Sequence, residues 1–262
     1  MEEAQKRIDE WMKDTSKELY LRKLDLISLP KIPYFEGVGC ACAPPNCVKL
    51  NCSYNKLTTL PDLPSCQYLY CYNNQLTTLP DLPNCQELDC GNNQLTTLPD
   101  LPNCQELYCY NDQLAKLPDL PNCRKLCCSN NQLTKLPDLP NCQTLYCISN
   151  KLTTLPDLLN CNTLCCYGNQ LTALPDLPKC QILYCHDNPY LHITKDQAKR
   201  FNLKETPNYT TMAIRLQRRF RQKKKYMFLK SLQRHINEFL ARPNNYLYYL
   251  AKQRFEKLST KI

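Results

Sequence analysis

The sequence of 262 residues is poor in glycine, histidine and tryptophan, and it contains no long apolar run. Its 4 glycines exclude a collagen or a flexible Gly/Ser linker, because both depend on frequent glycine. No apolar stretch approaches the ~18 residues that cross a bilayer, so we predict no transmembrane segment. The start, Met1-Glu2-Glu3, is acidic and leads into no apolar segment, so we expect no secretory signal and a reducing, cytoplasmic environment.

Catalytic patterns are also missing. The 3 histidines, His186, His192 and His235, form no recognisable nucleophile–base pair, and no glycine-rich loop is present to hold a phosphate. Cys127 and Cys165 are the sharpest nucleophile candidates, but a thiol on a strand has no helix N-terminus to lower its pKa. We therefore predict a protein that is not an enzyme and has no cofactor.

The 20 cysteines are abundant, and their spacing is regular. Sixteen of them form two series in which every step is 19 residues: Cys47, Cys66, Cys85, Cys104, Cys123, Cys142, Cys161 and Cys180, then Cys52, Cys71, Cys90, Cys109, Cys128, Cys147, Cys166 and Cys185. A fixed period of this length predicts stacked structural repeats.

One unit, Cys66–Asn84, reads CQYLYCYNNQLTTLPDLPN. It follows the signature L-x-x-L-x-L-x-x-N/C-x-L, with Leu69 and Asn74 matching and cysteine in place of two leucines. Eight such 19-residue units begin at Cys47, so the chain resembles the leucine-rich repeat superfamily. The resemblance implies a leucine-rich repeat solenoid with a parallel β-sheet on its concave face.

The repeat frame predicts the interior of this solenoid. Leu69 and Cys71 are two residues apart and point to one face of a strand, where cysteine acts as a small hydrophobe. The LPDLP segments predict an extended, polyproline-like convex face, since proline is incompatible with a helix interior. We expect a column of side chains to hydrogen-bond the backbone of adjacent turns: Asn55, Asn74, Asn93, Asp112, Asn131, Asn150, Asn169 and Asn188.

We divide the chain into a helical N-terminal cap (1–24), the repeats (25–194) and a basic helical tail (195–262). The cap is predicted as one amphipathic helix over residues 2–20, with Ile8, Trp11, Met12 and Leu19 on its apolar side. Leu26-Ile27-Ser28-Leu29-Pro30-Lys31-Ile32-Pro33 is interpreted as a degenerate half-repeat without a strand, and Val38 and Cys40 are candidates for a short opening strand. Residues 188–193 predict a fading half-repeat at the other end.

Strand positions between the core residues face outward and vary from repeat to repeat. Eight tyrosines fall at these positions, and tyrosine is enriched in protein interfaces, although it also suits exposed strands. Glu87, Asp89 and Glu106 add an acidic cluster. The candidate protein-binding residues on the concave face are Tyr68, Tyr70, Tyr72, Glu87, Asp89, Glu106, Tyr108, Tyr110, Tyr146, Tyr167, Tyr184 and His186.

The cysteines are predicted to be reduced, buried thiols rather than disulfides or metal ligands. Parallel side chains in a packed core and a reducing compartment both favour free thiols. A zinc site would require four converging ligands, and although Cys40, Cys42, Cys47 and Cys52 are close in sequence, Cys47 and Cys52 are already core positions of the repeat. Cys127 and Cys165 fall at outward positions, so we expect them to be the accessible thiols.

Residues 195–262 carry 18 basic and 4 acidic residues, a net charge of +14, whereas the rest of the chain has a net charge of −5. Such a basic amphipathic tail is typical of segments that bind a calmodulin-like protein, an anionic membrane or nucleic acid; a solvated hairpin that caps the last repeat is the alternative. Leu216-Gln217 followed by Arg221 partly resembles a calmodulin-binding IQ motif. The candidate residues are Arg215, Arg218, Arg219, Arg221, Lys223, Lys224 and Lys225.

The LPDLP-bearing repeat resembles the short leucine-rich repeats of bacterial effectors, and the variant YCYNNQLTTLPDLPNCQEL is most similar to leucine-rich repeat proteins of giant amoeba-infecting viruses related to mimivirus. This resemblance implies a viral protein that binds a partner protein in the host cytoplasm, with a host protein as one candidate partner. Some bacterial relatives carry a ubiquitin-ligase Cys-x-Asp motif. Cys185-His186-Asp187 matches that motif, but Cys185 is a core position of the repeat, so we predict no ligase activity.

Overall fold

The structure is a computed structural model that describes residues 1–30 and 47–203. Its described strands form one parallel sheet in which the spatial order follows the chain order. The elements are α1 (Glu2–Trp11), β1 (Leu19–Tyr20), β2 (Lys49–Asn51), β3 (Tyr68–Tyr70), β4 (Glu87–Asp89), β5 (Glu106–Tyr108), β6 (Lys125–Cys127), β7 (Thr144–Tyr146), β8 (Thr163–Cys165), β9 (Ile182–Tyr184) and α2 (Lys195–Phe201). The predicted solenoid with a parallel sheet is confirmed.

The 19-residue period sets the register of the sheet. From β2 to β9 each residue pairs with the residue 19 positions later, as in Leu69 with Leu88 and Leu88 with Leu107. Identical repeats therefore stack identical side chains, and the central leucine of each strand lies in the core. Each repeat contacts only its neighbours, which is how a solenoid builds a continuous core from short units.

Leucine and cysteine columns fill the interior of the solenoid. Leu69, Cys71 and Leu76 are fully buried, as are their counterparts in the central repeats. The first cysteine of each unit also makes a weak local hydrogen bond: the Cys85 thiol donates to the carbonyl of Glu87, with Sγ 3.3 Å from the oxygen. Cysteine thus replaces leucine here as a small apolar side chain that also satisfies a backbone acceptor.

The LPDLP segments contain no helix or strand, in agreement with the predicted extended face. Their second leucine, for example Leu82, is buried against the core. A side chain from the next repeat ties successive segments together: the Asn84 amide donates to the carbonyl of Pro64 at 2.9 Å, and the same bond recurs from Asn103, Asn122, Asn141 and Asn160. These amides, with the glutamines beside them, line a polar groove along the flank of the sheet.

The predicted asparagine column is confirmed as a buried ladder. Asn74 accepts from the N–H of Leu57 at 3.0 Å and donates to the carbonyls of Cys52 and Cys71, both at 3.0 Å. One side chain therefore satisfies three backbone groups in two successive turns, groups that no helix or sheet ladder would pair. Asp112 takes the same place once and accepts from the N–H of Leu95 at 2.9 Å.

A second column, just after each strand, requires a left-handed backbone. Asn73 has φ 54°, and the equivalent residue of every described repeat is also left-handed. Asparagine tolerates this conformation better than most residues, which explains its frequency here. Three of these side chains also form an exposed ladder, since Asn111 donates to Asn92 at 2.6 Å and Asn130 donates to Asn111 at 2.7 Å.

The N-terminal prediction was wrong in one respect: a single helix over residues 2–20 does not form. Helix α1 ends at Trp11, and Leu19–Tyr20 instead form strand β1, which pairs with β2. The segment from Leu19 to Pro30 is a repeat with its own strand, not the half-repeat that we predicted, because Asn55 bonds to its backbone as in every later turn. The proposed opening strand at Val38 and Cys40 lies outside the described residues, and β1 occupies the position beside β2.

Each end of the sheet is covered by a helix. The apolar side of α1, with Ala4, Ile8 and Trp11, is buried at the β1 end. Helix α2 begins at a Thr194 capping box, and Arg200 donates to the carbonyls of Pro178 and Cys180 at 2.9 and 3.1 Å, which ties the helix to the last turn. Neither described helix is long and apolar enough to cross a bilayer.

Candidate functional site: the tyrosine-rich strand face

The side chains that point away from the core on β2–β9, and at the second residue after each strand, form a surface that we call the strand face. Parallel pairing in register places equivalent positions side by side, so Tyr70, Asp89 and Tyr108 are direct neighbours on β3, β4 and β5. Pairing continues beyond the strands: the N–H of Asn73 donates to the carbonyl of Gly91, and that of Asn92 to the carbonyl of Tyr110. The strand face is therefore a two-dimensional array of side chains on a rigid sheet.

The predicted binding residues do lie together on this surface. The tyrosines are half-buried on the central strands, whereas Tyr184 on the last strand is 54% exposed. Tyr167 stacks on His186 with ring centroids 4.3 Å apart, so these two residues form a separate cluster towards the β9 end. The large apolar ring of each tyrosine is held against its neighbours, which is the environment that tyrosine supplies in interfaces.

Hydrogen bonds hold several of these rings in place. The Tyr108 hydroxyl donates to the Glu106 carboxylate at 2.7 Å, and the Tyr68 hydroxyl donates to the Gln86 side-chain oxygen at 3.4 Å. Burial, together with the nearby carboxylates, raises the pKa of Tyr70 and Tyr108. Burial also raises the pKa of Tyr110 to about 12. These phenols stay protonated at physiological pH and act as neutral hydrogen-bond donors.

Gly91 allows a close ring contact in the middle of the strand face. Gly91 lies between Tyr72 and Tyr110, and a β-carbon at position 91 would stand only 2.6 Å from the Tyr110 ring. The Tyr110 ring therefore packs directly on the Gly91 backbone, and Asp89, the last residue of β4, lies two residues before Gly91. Glycine is required here by the close approach of a ring rather than by a left-handed backbone.

Sequence reasoning missed the cations that border the tyrosines. Lys49 Nζ lies 5.7 Å from the Tyr70 ring centroid, and Lys125 Nζ lies 5.0 Å from that of Tyr108. Arg22, from the unpredicted first repeat, stands 4.7 Å over Tyr54. The sequence did indicate this repeat, since Glu18-Leu19-Tyr20 is identical to the Glu-Leu-Tyr sequence of β5.

The expectation that Cys165 is accessible was wrong. Cys127 is half-buried, but Cys165 is only 5% exposed. Its register neighbours on the same face are Tyr146 and Tyr184, and a small thiol between two long aromatic side chains is covered by them. The outward serines Ser53 and Ser129 are buried for the same reason, each lying in a row with larger side chains.

The cysteines described in the structure are all free thiols, and burial raises the pKa of those in the core, to about 12 for Cys85. In residues 1–30 and 47–203 no group of histidine, cysteine, aspartate and glutamate side chains converges to hold a metal ion. Cys40 and Cys42, two of the four conceivable zinc ligands, lie outside the described residues. The core thiols are thus packing atoms with little thiolate character.

Limited alkylation of the folded protein with N-ethylmaleimide should modify Cys127 before any other cysteine of residues 47–203. The reason is exposure, because the remaining thiols in that range are buried and the thiolate, which buried sites disfavour, is the reactive form. Peptide mass spectrometry after short exposure measures the order of labelling, and labelling in denaturant, where all cysteines react, is the control. Modification of Cys165 as fast as Cys127 would contradict the covered position of Cys165.

The predicted basic residues, Arg215 to Lys225, lie outside the described residues. Their capacity to bind a calmodulin-like protein, an anionic membrane or nucleic acid stays a prediction, as does the boundary of the tail at residue 195.

Comparison with known proteins places the fold among bacterial leucine-rich repeat proteins. The leucine-rich effector YopM from Yersinia pestis is 34% identical over 73% of this chain, with a TM-score of 0.56, and YopM from Yersinia enterocolitica is 34% identical over 73% of the chain, with a TM-score of 0.62. A Shigella effector leucine-rich repeat domain is 29% identical over 68% of the chain and 76% of its own length, with a TM-score of 0.52.

The chain spans only 57% and 44% of the two YopM structures. No protein-family model matches the sequence, and a search of curated proteins finds no match. The similarity thus follows the repeats themselves, the part of the chain where register, core columns and asparagine ladder are described above. The chain has a leucine-rich repeat fold, and the three solved structures described above are bacterial proteins with leucine-rich repeats.

Proposed function

We propose that the protein is a non-catalytic interaction module that binds a partner protein through its tyrosine-rich strand face. The observation that carries this proposal is the contrast between two sets of positions in one repeat. Core positions are almost invariant along the chain, whereas the outward positions vary and hold eight tyrosines on a single surface. Aromatic residues on a surface that the fold leaves free to vary are the compositional signature of an interface core.

The geometry of the strand face supports binding in a second way. Its rings are already ordered by packing and by hydrogen bonds such as Tyr108 to Glu106 at 2.7 Å and Tyr68 to Gln86 at 3.4 Å. A partner would therefore lose little side-chain entropy from this surface on binding, and preordered surfaces bind more tightly for the same area. Leucine-rich repeat neighbours that are named effectors fit a role in protein recognition.

Chemistry at the thiols is disfavoured, which supports the non-catalytic part of the proposal. Burial raises the pKa of Cys127 and Cys165, the two nucleophile candidates, so the thiolate fraction at neutral pH is small. Association with a host partner in a host cytoplasm, and a viral origin, follow only from the sequence resemblance to proteins of giant amoeba-infecting viruses.

Replacing Tyr68, Tyr70, Tyr108 and Tyr110 together with serine should reduce recovery of partner proteins at least about tenfold in an affinity pull-down from source cells, because hot-spot aromatics carry most interface energy. The fold should persist, since these side chains lie outside the core, and circular dichroism checks this. The matched control replaces Thr77, Thr96, Thr134 and Thr153 with alanine; these exposed residues lie outside the strands of the same solenoid.

A third variant, with Lys223, Lys224 and Lys225 replaced by serine, tests the alternative that the basic tail is the binding element. Loss of partners from the tyrosine variant alone supports the strand face. Unchanged recovery by the tyrosine variant, with loss from the lysine variant, would contradict the proposal and favour the tail. The net charge of +14 over residues 195–262 is the observation that favours this alternative.

A further inference from the structure

The centre of the strand face combines aromatic walls with an acidic floor. Asp89 is the last residue of β4, and Gly91 lies two residues beyond it. Pairs of tyrosines flank these two residues on both sides: Tyr70 on β3 with Tyr72 two residues later, and Tyr108 on β5 with Tyr110 two residues later. We call this group the tyrosine frame. Strands β3 and β5 are two strand spacings apart, about 9.6 Å. A planar cation between two rings needs about 7 Å, twice a carbon–carbon contact of about 3.5 Å, so the backbone spacing leaves room for one above Asp89, between Tyr70 and Tyr108, whereas the Tyr110 ring fills the space above Gly91.

The floor of the frame has negative charge without a cation of its own. The Asp89 carboxylate accepts from the N–H of Gly91 at 3.3 Å, and Glu87 lies two residues earlier on the same strand. Within the described residues, the ion pairs of the chain involve neither of these two carboxylates. Burial raises the pKa of Asp89 to about 6, and repulsion from Glu87 adds to the increase. A carboxylate in this position gains from a positive ligand more than an exposed one does, because the local dielectric is low.

The chain itself shows how a cation binds beside these rings. On one side of the frame Lys125 lies over Tyr108 and is 3.9 Å from the Glu106 carboxylate. On the other side Lys49 lies over Tyr70. Both flanks therefore pair a basic side chain with a tyrosine ring, and the intervening strand β4 contributes only carboxylates. Charge complementarity selects a basic occupant for the centre.

We propose that the tyrosine frame binds an arginine side chain in a basic segment of the partner protein. The inference rests on the proposed function and names the chemistry of the partner. Arginine fits better than lysine because its planar guanidinium stacks on aromatic faces, is weakly hydrated, and presents several donors that can reach Glu87 and Asp89 together. Charge-assisted bonds to these carboxylates would orient the segment, and the rings would supply contact area.

The probe is a fluorescein-labelled Gly/Ser nonapeptide with three arginines, titrated with the full chain and followed by fluorescence anisotropy at about 150 mM salt, where weak surface pairing is screened. A peptide with citrulline, the neutral isostere of arginine, is the ligand control. The wild-type chain should bind the arginine peptide at least about tenfold more tightly than the citrulline peptide, because neutral citrulline loses the charge-assisted contacts.

The double variant Glu87→Gln and Asp89→Asn should lose about tenfold or more in affinity for the arginine peptide, since both charge partners are removed without a change in shape. The matched control, Asp81→Asn with Asp100→Asn, makes the same change in net charge at exposed LPDLP positions and should bind like the wild type. Equal losses in the two variants, or equal binding of the arginine and citrulline peptides, would overturn the proposal, because either result indicates general charge attraction.

A pH titration tests the site without any variant. The titratable groups near Asp89 are Glu87 on its own strand, the four tyrosines of the frame and Cys127 on β6, and the tyrosines and the thiol stay neutral over this range. Affinity for the arginine peptide should increase between about pH 5 and pH 7.5 as Asp89 ionises, and the increase should be smaller in Asp89→Asn. A flat profile in the wild type contradicts the proposal. A combined outcome separates this inference from the proposed function. If replacing the four tyrosines with serine abolishes the pull-down of partner proteins, but the wild-type chain does not bind the arginine peptide, only the arginine assignment is wrong and the proposed function stands.

Discussion

Replacing Asn131 with alanine should lower the free energy of unfolding by about 2–4 kcal/mol, because the buried Leu114 N–H and the Cys109 carbonyl lose their side-chain partner, whereas the Cys128 carbonyl still accepts from Asn150. The Asn131 amide donates to the carbonyls of Cys109 and Cys128 at 2.7 and 3.2 Å, and its oxygen accepts from the N–H of Leu114 at 2.9 Å. Asn131 is 9% exposed and lies in the middle of the solenoid, so water cannot easily replace these bonds.

Urea denaturation followed by circular dichroism measures the effect of Asn131→Ala. The control is Gln132→Ala, at the exposed adjacent residue, which should change stability by no more than about 0.5 kcal/mol. A loss below about 1 kcal/mol in Asn131→Ala would show that the ladder contributes little and that leucine packing alone holds successive turns together.

Replacing Asp112 with asparagine should have the opposite effect and stabilise the protein by about 2 kcal/mol near pH 8. At this position the ladder has a carboxylate, whose Oδ1 accepts from Leu95 while the buried Oδ2 has no hydrogen-bond partner. An ionised carboxylate cannot donate to the neighbouring carbonyls as the asparagines do, and an asparagine would regain those bonds at about 1 kcal/mol each. Burial accordingly raises the pKa of Asp112 to about 7.

The pH dependence follows from this pKa. In the folded state Asp112 binds its proton more tightly than in the unfolded state, where an aspartate has a pKa of about 3.9. Its contribution to stability is therefore fully present below about pH 4 and is lost as the pH rises through about 7. The stability difference between Asp112→Asn and the wild type should grow across this window, and comparing the two chains removes the similar but separate contribution of Asp89.

Thermal unfolding at about pH 5 and pH 8 measures this difference. The control is Asp119→Asn, at an exposed aspartate in the LPDLP segment that follows Asp112. Its stability difference from the wild type should not increase between the two pH values. If Asp112→Asn gains the same stability at both pH values, or loses stability at pH 8, then the buried Asp112 carboxylate does not destabilise the asparagine ladder as predicted.

Most of the fold could be predicted because every repeat packs the same side chains against the same neighbours. The period of 19 predicts the register, the leucine and cysteine columns predict the core, and the Asn74 column predicts the ladder that pairs backbone groups between turns. Local pattern is sufficient for these features, since each repeat packs only against copies of itself. The first repeat was missed because its asparagine and cysteines are replaced, with Leu21 at the position of Cys71, and because α1 precedes it without a clear break.

The candidate site was predictable as a set of outward positions but not as an arrangement. Alternation along a strand predicts that Tyr70, Asp89 and Tyr108 point outward. It does not predict that Cys165 is covered, that Tyr110 lies on Gly91, or that Lys125 reaches the Tyr108 ring. These contacts depend on the lengths of side chains from different strands and on the direction in which each one leans.

The sequence by itself determined the solenoid, the packing role of its repeated cysteines and the rows of residues on the strand face, because period and alternation act on neighbouring turns alone. The tertiary structure decided which outward residues are accessible, where β1 closes the sheet, and how acidic and aromatic side chains from three strands surround Asp89. The physical reason is that exposure and electrostatic environment are set by atoms 19 or more residues apart in the chain, whose positions relative to one another exist only once the turns are stacked.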